Sequence, residues 1–367
     1  MTKSVSEIKA LTGLRGIAAL DVAISHTWGA TLGSDYIATK FFFFQNPAVD
    51  LFFCLSGFTL FLVYGGKALK ILQFYVARFA RIYPLFIVVL FVSGFYTWKF
   101  GGLHMYSRLG AVEVTIKQAL LINALPVIGT GAFWAAPMWS LSIESFCYVC
   151  LFPLLWFLTK FIKTYSGPQI LCAALILTFS AYLTYSLWYN PDINEQYNPV
   201  HGIMPHWVAV IRGICMFSAG WLAWAIYEFY PDIARGIGRY ADVIFVGALL
   251  VVVAQGVSLL NGYLIVILAP FMILGISCRG SNSVRFFEWA PLHYLGLISY
   301  SLYLWHWPVF QLLPRLFPKL GHASIFILDL SVSIVVASLS YYLLEKPARQ
   351  LIKKIALQTG LYKAAVG

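Results

Sequence analysis

A series of long apolar runs limits what this chain can fold into. Each run is about 17–23 residues long, which is the length that a helix needs to cross the hydrocarbon core of a bilayer. A spanning segment must satisfy its backbone hydrogen bonds internally, as a helix does. The sequence therefore predicts an all-α membrane bundle of about ten transmembrane helices, in a single domain over residues 1–367. The predicted spans are 11–31, 47–66, 84–100, 138–159, 169–188, 207–229, 242–259, 262–278, 297–314 and 323–344.

The composition and charge agree with a membrane location. The chain is 60% hydrophobic and 11% charged, whereas soluble domains carry about a quarter charged residues. Its formal net charge is +11, and the basic residues concentrate in alternate connections when the N-terminus is placed in the cytoplasm. This positive-inside pattern explains the charge without nucleic acid as a partner. It predicts a multi-pass protein of the inner (plasma) membrane, in contact with lipid and with both termini cytoplasmic.

The first predicted span contains three ionisable residues, Arg15, Asp21 and His26. Such side chains cost several kcal/mol in hydrocarbon, so each needs a partner, a wet cavity or a function. Eleven residues at about 100° per residue return nearly to the same direction, so Arg15 and His26 share one helix face, about 16 Å apart. This face could hold a cation near one membrane surface and an imidazole deeper. The alternative is a charged helix end and a buried structural histidine.

Asp50 lies near the start of the second predicted span. The orientation of the spans puts it near the outer end of its helix, at the depth of His26. A carboxylate there would fix the tautomer of the imidazole and raise its basicity, as a general base requires. The alternative is an acidic residue that only stabilises the positive end of the helix dipole.

Arg78 and Arg81 precede Pro84 on what we predict to be a short helix at the cytoplasmic surface. Residues three apart lie on the same side of a helix. Two neighbouring guanidinium groups suit a phosphate or pyrophosphate. The alternative is that these charges set the topology or contact anionic lipid.

Two later spans contain polar residues at membrane depth. Glu144 lies about two turns into the fourth span, behind Ser140, where a carboxylate needs a partner or a hydrogen-bonded ligand. Tyr303 and His306 follow a helical stripe in the ninth span, and His306 is predicted in mid-membrane. A lone histidine on such a face is often a satisfied core residue instead.

The sequence gives no sign of a metal site. The six cysteines all lie in apolar segments, and the Cys147–Cys150 pair has no histidine or acidic ligand set around it. His201 and His206 lack a third ligand pattern. We therefore expect core cysteines and no metal.

Taken in order along the chain, these motifs resemble the acyltransferase-3 family of integral membrane acyltransferases. The similarity extends from Arg15 to Pro347, and six short motifs in sequence make it specific. The matching motifs are Arg15 with His26, Val49 to Phe58, Arg78 with Arg81, Trp139 to Glu144, Tyr300 to Pro308, and Glu345 to Pro347. Asp21 is a less usual residue for the family.

The resemblance implies acyl transfer, commonly of acetyl, from a cytoplasmic coenzyme A thioester to a hydroxyl group, often on a surface glycan. Arg78 and Arg81 are then expected to hold the phosphates of acyl-CoA, with Arg15 beside its pantetheine arm. His26, oriented by Asp50, would deprotonate the acceptor or transiently hold the acyl group. Glu144 would position the acceptor. The same cavity would be lined by Ser140, Tyr303 and His306.

Two other functions remain open from the sequence. The acceptor could be a small molecule, such as an antibiotic or a lipid, instead of a carbohydrate. The chain could also be a transporter or flippase whose buried charges form a substrate path. No internal repeat of transporter length is evident in the sequence, and a transporter gives no reason for paired arginines at the surface.

Overall fold

The computed structural model describes residues 7–31, 45–100, 108–129, 134–135, 137–188, 206–257 and 259–359. Over these residues the chain is almost entirely helical and contains no strand, as predicted. The helices are α1 (Lys9–Thr31), α2 (Gln45–Tyr64), α3 (Ile71–Lys99), α4 (Arg108–Ala119), α5 (Met138–Phe146), α6 (Phe152–Ile162), α7 (Gly167–Trp188), α8 (His206–Phe229), α9 (Pro231–Arg239), α10 (Ala241–Gly256), α11 (Ile265–Ser277), α12 (Asn282–Phe287), α13 (Ala290–Leu297), α14 (Ser299–Leu316), α15 (His322–Ser340) and α16 (Lys346–Gln358).

The described chain contains six helices that are long and apolar enough to cross a membrane, or seven if α9 and α10, which meet at 58°, form one bent span. The predicted count of about ten is therefore not confirmed. Helices α1 and α14 are not among the six. They contain His26 and His306, and the polar residues of these two helices lower their hydropathy.

Helix α3 corrects one predicted boundary. The predicted span began at Pro84, and Arg78 and Arg81 were assigned to a separate surface helix. The structure instead has one helix of 29 residues with Pro84 inside it. Membrane helices tolerate an internal proline because neighbouring groups satisfy the freed carbonyl. Both arginines therefore belong to the first part of a long helix that continues into the bundle.

Two π-helical turns interrupt otherwise continuous helices. Cys147–Leu151 joins α5 to α6, and Tyr341–Glu345 joins α15 to α16. The chain was expected to leave its last span near Glu345, but the helix continues to Gln358. A π-helical turn contains an extra residue, which rotates the side chains that follow, and such turns are frequent at functional sites.

Close glycine contacts hold the centre of the bundle together. A Cβ atom on Gly57 of α2 would lie 2.1 Å from the carbonyl oxygen of Phe217 in α8, and one on Gly220 would lie 2.0 Å from that of Cys54. Small residues allow helix backbones to approach in membranes, where hydrophobic driving force between helices is weak. A larger side chain at either glycine would separate α2 from α8.

Candidate active site

A cavity of about 560 Å³ lies between helices α1, α2, α3, α5, α14 and α16. Six residues that the sequence singled out line it together: Arg15, Arg78, Arg81, Ser140, Glu144 and Tyr303. One end has exposed residues such as Glu7 and Val63 and is the mouth of the cavity. The other end has the buried residues Ser140 and Tyr303. Segments distant in sequence therefore meet at one polar chamber inside the bundle.

The wall of the cavity is strongly basic. It contains five basic side chains, from Arg15, Arg78, Arg81, Arg349 and Lys353, against two acidic ones, from Glu7 and Glu144. Arg15, Arg78 and Lys353 form no ion pair within the described residues. Cations in a partly enclosed cavity are favourable only with an anion beside them, so this wall suits an anionic ligand.

Arg78 is positioned by aromatic rings instead of by a carboxylate. Its guanidinium lies 5.9 Å from the ring of Phe74 and 5.7 Å from the ring of Tyr148. Its buried Nε atom has no hydrogen-bond partner among the residues that the structure describes. Stacking on aromatic faces holds the planar group in one orientation while leaving its N–H donors available. The guanidinium of Arg78 is therefore oriented with N–H donors available to an anion in the cavity.

Arg81 has a different environment from Arg78. It forms an ion pair with Glu345, and its guanidinium lies 5.2 Å from the ring of Tyr300. Glu345 is only 1% exposed and also accepts a 2.8 Å hydrogen bond from Ser301. Arg349 lies 3.9 Å from the same carboxylate. This network ties α3 to α14 and to the last helix, so Arg81 contributes to the fold as well as to the basic wall.

Glu144 is held at the wall by two hydroxyl groups. Ser56 and Tyr148 both donate to its Oε1 atom, Ser56 at 2.9 Å. The second carboxylate oxygen makes no hydrogen bond within the described chain, so it remains available to a ligand in the cavity. The contact between Glu144 and an acceptor hydroxyl stays a prediction.

The deep end of the cavity is formed by a hydrogen bond between Ser140 Oγ and the Tyr303 hydroxyl, at 2.6 Å. Both groups also lie within hydrogen-bond distance of the carbonyl oxygen of Pro137, Tyr303 at 3.0 Å and Ser140 at 3.1 Å. The Tyr303 ring is 6.0 Å from the ring of His306. Tyr303 thus lies between the cavity and the histidine behind it.

His26 and His306 form a pair. Nε2 of His306 lies 3.2 Å from Nδ1 of His26, and the rings stack at 5.2 Å. The prediction that His306 lines the cavity is wrong: neither histidine lines it, because Tyr303 lies between the cavity and His306. The Nδ1 atoms also approach backbone carbonyls, Val22 for His26 at 3.0 Å and Leu302 for His306 at 3.2 Å.

These contacts determine the tautomers of the pair. A carbonyl oxygen can only accept, so both Nδ1 atoms carry the hydrogen when the rings are neutral. His26 Nδ1–H then donates to Val22 and to His306 Nε2. The Nε2 atom of His26 keeps its lone pair and forms no hydrogen bond within the described residues. That lone pair is what a general base needs.

The expected contact between Asp50 and His26 is wrong. Asp50 is fully buried and forms a two-point ion pair with Arg212 of α8, at 3.1 and 3.2 Å, and it also accepts from the Tyr263 hydroxyl. A carboxylate inside the bundle needs full charge compensation, and a buried guanidinium supplies more of it than an imidazole. His306 therefore occupies the position beside His26 that was assigned to Asp50.

The sequence reasoning missed several residues of this region: Arg212, Tyr148, Glu345, Arg349 and Lys353. Arg212 is an arginine inside a predicted span, which was itself a signal that a buried acidic partner exists. Arg349 and Lys353 follow the last predicted span, 323–344, and only the continued helix brings them to the cavity wall.

The structure gives no metal centre within the described residues, where no group of three histidine, cysteine or acidic side chains comes together. His201 lies outside the described residues, as does the side chain of His206.

Comparison with known proteins identifies the chain's relatives. It is 24% identical over 371 residues to the peptidoglycan O-acetyltransferase OatA of Listeria monocytogenes serovar 1/2a, covering 94% of this chain and 56% of OatA. It is 26% identical over 356 residues to the candidate membrane-bound transacylase BcsY of Komagataeibacter xylinus, covering 92% of this chain and 81% of BcsY. It is 24% identical over 369 residues to the candidate O-acetyltransferase SACOL0978 of Staphylococcus aureus strain COL, covering 95% of this chain and 58% of that protein.

The chain thus spans little more than half the length of OatA and SACOL0978. No solved structure matches it. The sequence model of the family described as "Acyltransferase domain" matches residues 8–345, which include every residue of the chamber described above except Glu7, Arg349 and Lys353. The chain belongs to this acyltransferase family.

Proposed function

We propose that the protein is a membrane O-acyltransferase that moves an acyl group, by preference acetyl, from cytoplasmic acyl-CoA to a hydroxyl of a carbohydrate such as a surface polysaccharide or a lipid-linked glycan. The observation that carries the proposal is the shared cavity, in which a basic mouth leads to Glu144, Ser140 and Tyr303, with His306 and His26 behind. The names of OatA and SACOL0978, which specify O-acetyl transfer, support the choice of acetyl.

The donor binds with its phosphates at the mouth. Arg78 supplies free N–H donors, Arg81 adds charge from the Glu345 network, and Arg15 lies beside the pantetheine arm. Phosphates carry several negative charges, which the unpaired cations of this wall compensate. The thioester then points toward Ser140 and Tyr303 at the deep end.

Transfer is carried out by His26. Its Nε2 lone pair removes the proton of the acceptor hydroxyl as the oxygen forms a bond to the acyl carbon. The carbon–sulfur bond breaks, and the proton is returned to the sulfur of coenzyme A, so the products are an ester and a free thiol. His306 holds the ring of His26 in the reactive tautomer. Glu144 orients the acceptor through its free carboxylate oxygen.

The location of the protein in the cell follows from the same arrangement of the cavity. The protein lies in the inner (plasma) membrane, with the basic mouth and both termini facing the cytoplasm where acyl-CoA is made. The acceptor enters from the opposite face of the membrane and passes the Ser140–Tyr303 pair, so that its hydroxyl lies within reach of both His26 and Glu144. Residues 1–367 act as one domain.

Incubation of the purified protein with radiolabelled acetyl-CoA and crude envelope glycans tests the proposal. We expect label in the glycan fraction and an ester-linked acetyl group by mass spectrometry of the product. Labelled lipid or a labelled small molecule would identify a different acceptor. Absence of any acetyl transfer, with movement of unmodified glycan across vesicles, would favour a transporter and contradict the proposal.

A further inference from the structure

The last helix, α16, adds two cations to the wall of the cavity. The proposed reaction does not use these cations. Arg349 and Lys353 lie four residues apart on α16, so they face the same direction, and both line the cavity wall. Their neighbour Lys354 is exposed and does not line it. We call Arg349 and Lys353 the C-terminal cation pair.

The charge of this pair is not balanced by acidic side chains within the described residues. The carboxylate near Arg349 is that of Glu345, 3.9 Å away, and Glu345 already pairs with Arg81 and accepts from Ser301. Lys353 has no ion pair in the part of the chain that the structure describes. Arg349, Lys353 and Arg78 also lie close enough to repel one another. Cations that repel one another around a cavity are stable when an anion with more than one charge binds between them.

The position of the pair separates it from the deeper cations. Glu345 lies beside Arg81, whereas Ile352 and Ile355, which flank Lys353, lie against Tyr75 and Phe79 near the start of α3. Helix α16 therefore leads away from the deep part of the cavity toward the end of α3 that precedes Arg78. Lys353 lies about one helical turn, or 6 Å, beyond Arg349. A thioester that reaches Ser140 at the deep end therefore leaves its other end beside the C-terminal cation pair.

Coenzyme A has phosphate at two places. The pyrophosphate continues the line of the pantetheine arm, while the 3′-phosphate branches from the ribose at the end farthest from the thioester. We infer that Arg349 and Lys353 bind the 3′-phosphate of the acyl-CoA donor, whereas Arg78 and Arg81 serve the pyrophosphate. This inference rests on the proposed function, because it assumes that the donor occupies the cavity.

Binding of acetyl-CoA and of 3′-dephospho-acetyl-CoA to the purified full chain in phosphatidylcholine nanodiscs tests the inference. We expect the wild-type protein to bind acetyl-CoA about 10-fold to 100-fold more tightly than the dephospho form, since a charge-assisted contact is lost. Lys353→Ala, and Arg349→Ala with Lys353→Ala, should remove this preference and bind both donors with the wild-type affinity for the dephospho form. Lys354→Ala is the matched control and should keep the preference.

The outcomes separate this inference from the proposed function. Wild-type protein that binds both donors equally, or a Lys353→Ala variant that keeps the full preference, would overturn the 3′-phosphate assignment alone. Wild-type protein that binds neither donor would overturn the donor site and the inference together.

An anionic lipid headgroup offers the same phosphate chemistry. The measurement is therefore repeated in nanodiscs that contain phosphatidylglycerol. Competition by this lipid against acetyl-CoA in the wild type, and none in Lys353→Ala, would assign the pair to lipid and overturn the inference. Unchanged affinity in both lipid compositions supports it.

Discussion

The reactive nitrogen of His26 is Nε2. It carries no hydrogen, because both contacts of the other nitrogen, Nδ1, require the hydrogen to be on Nδ1. Val22 and His306 accept from Nδ1, so Nε2 keeps its lone pair. Without His306, the ring of His26 would keep only its hydrogen bond to the Val22 carbonyl. Its tautomer and its angle could then change. A shift of about 1 Å in a catalytic group can reduce turnover about 10²-fold.

We therefore expect His306→Ala to lower kcat about 10²-fold and to leave the affinity for acetyl-CoA unchanged. His306→Gln, whose amide oxygen can accept from His26 Nδ1–H, should restore part of the lost turnover. Steady-state kinetics with separate kcat and KM values check this. A His306→Ala variant that changes only KM would contradict the positioning role.

The two arginines of α3 should behave differently although they are three residues apart. Arg78→Ala removes a cation that has no acidic partner in the described part of the chain, so the thermal midpoint should change little while donor binding falls. Arg81→Ala leaves the buried Glu345 without its main partner, which costs about 1–3 kcal/mol of unfolding free energy. Thermal denaturation of the two variants checks this prediction. Equal midpoints for both would contradict the division of roles.

Local motifs pointed to six residues of the cavity wall, because each is a polar or charged residue inside or beside an apolar run. Arg15, Glu144 and Tyr303 are examples. The partner of Asp50 could not be predicted this way. Arg212 is 162 positions away, and equal depth in the membrane does not say which helices are neighbours.

At the scale of elements, the buried pair of Asp50 and Arg212 joins α2 to α8. The guanidinium is also enclosed by aromatic rings, with Tyr185 and Tyr263 at 5.1 Å and Trp139 at 5.7 Å. Trp139 precedes Ser140 at the deep end of the cavity. The ion pair thus fixes the start of α5 in addition to the two central helices.

We expect Asp50→Asn to destabilise the protein, since a buried guanidinium would lose its counter-charge at a cost of about 3–5 kcal/mol. Replacement of both partners, as Asp50→Leu with Arg212→Met, should recover much of this stability. Thermal unfolding in one detergent compares the variants. If Asp50→Asn unfolds like the wild type yet loses turnover, Asp50 acts on the chemistry and the structural interpretation is wrong.

The boundaries of the helices were harder to predict from the sequence than the helices themselves. The apolar runs predicted the helical class and most of the long helices. They did not predict that α3 passes through Pro84 or that the last helix continues past Pro347. Pro84 was taken as the start of a span, and the last span was taken to end at residue 344, before Pro347.

At the scale of the whole molecule, the proposal requires that the basic mouth and the acceptor side face opposite compartments. The predicted orientation places the connection that contains α4 outside and α16 at the cytoplasmic side. Cysteines introduced into a cysteine-free variant at Glu113 of α4 and at Lys354 of α16 report on this, because both positions are exposed. An impermeant maleimide added to intact cells should label Glu113→Cys and spare Lys354→Cys. Labelling of Lys354→Cys from outside would reverse the orientation and remove the donor site from the cytoplasm.

The central claim is that one chamber binds the donor through Arg78 and transfers its acyl group through His26. Acetyl-CoA binding and single-turnover acetyl transfer, measured side by side for Arg78→Ala and His26→Ala, test it most directly. We predict that Arg78→Ala loses binding by about 1.5–3 kcal/mol, whereas His26→Ala binds acetyl-CoA like the wild type and transfers none. Near-wild-type transfer by His26→Ala, or unchanged binding by Arg78→Ala, would contradict the account.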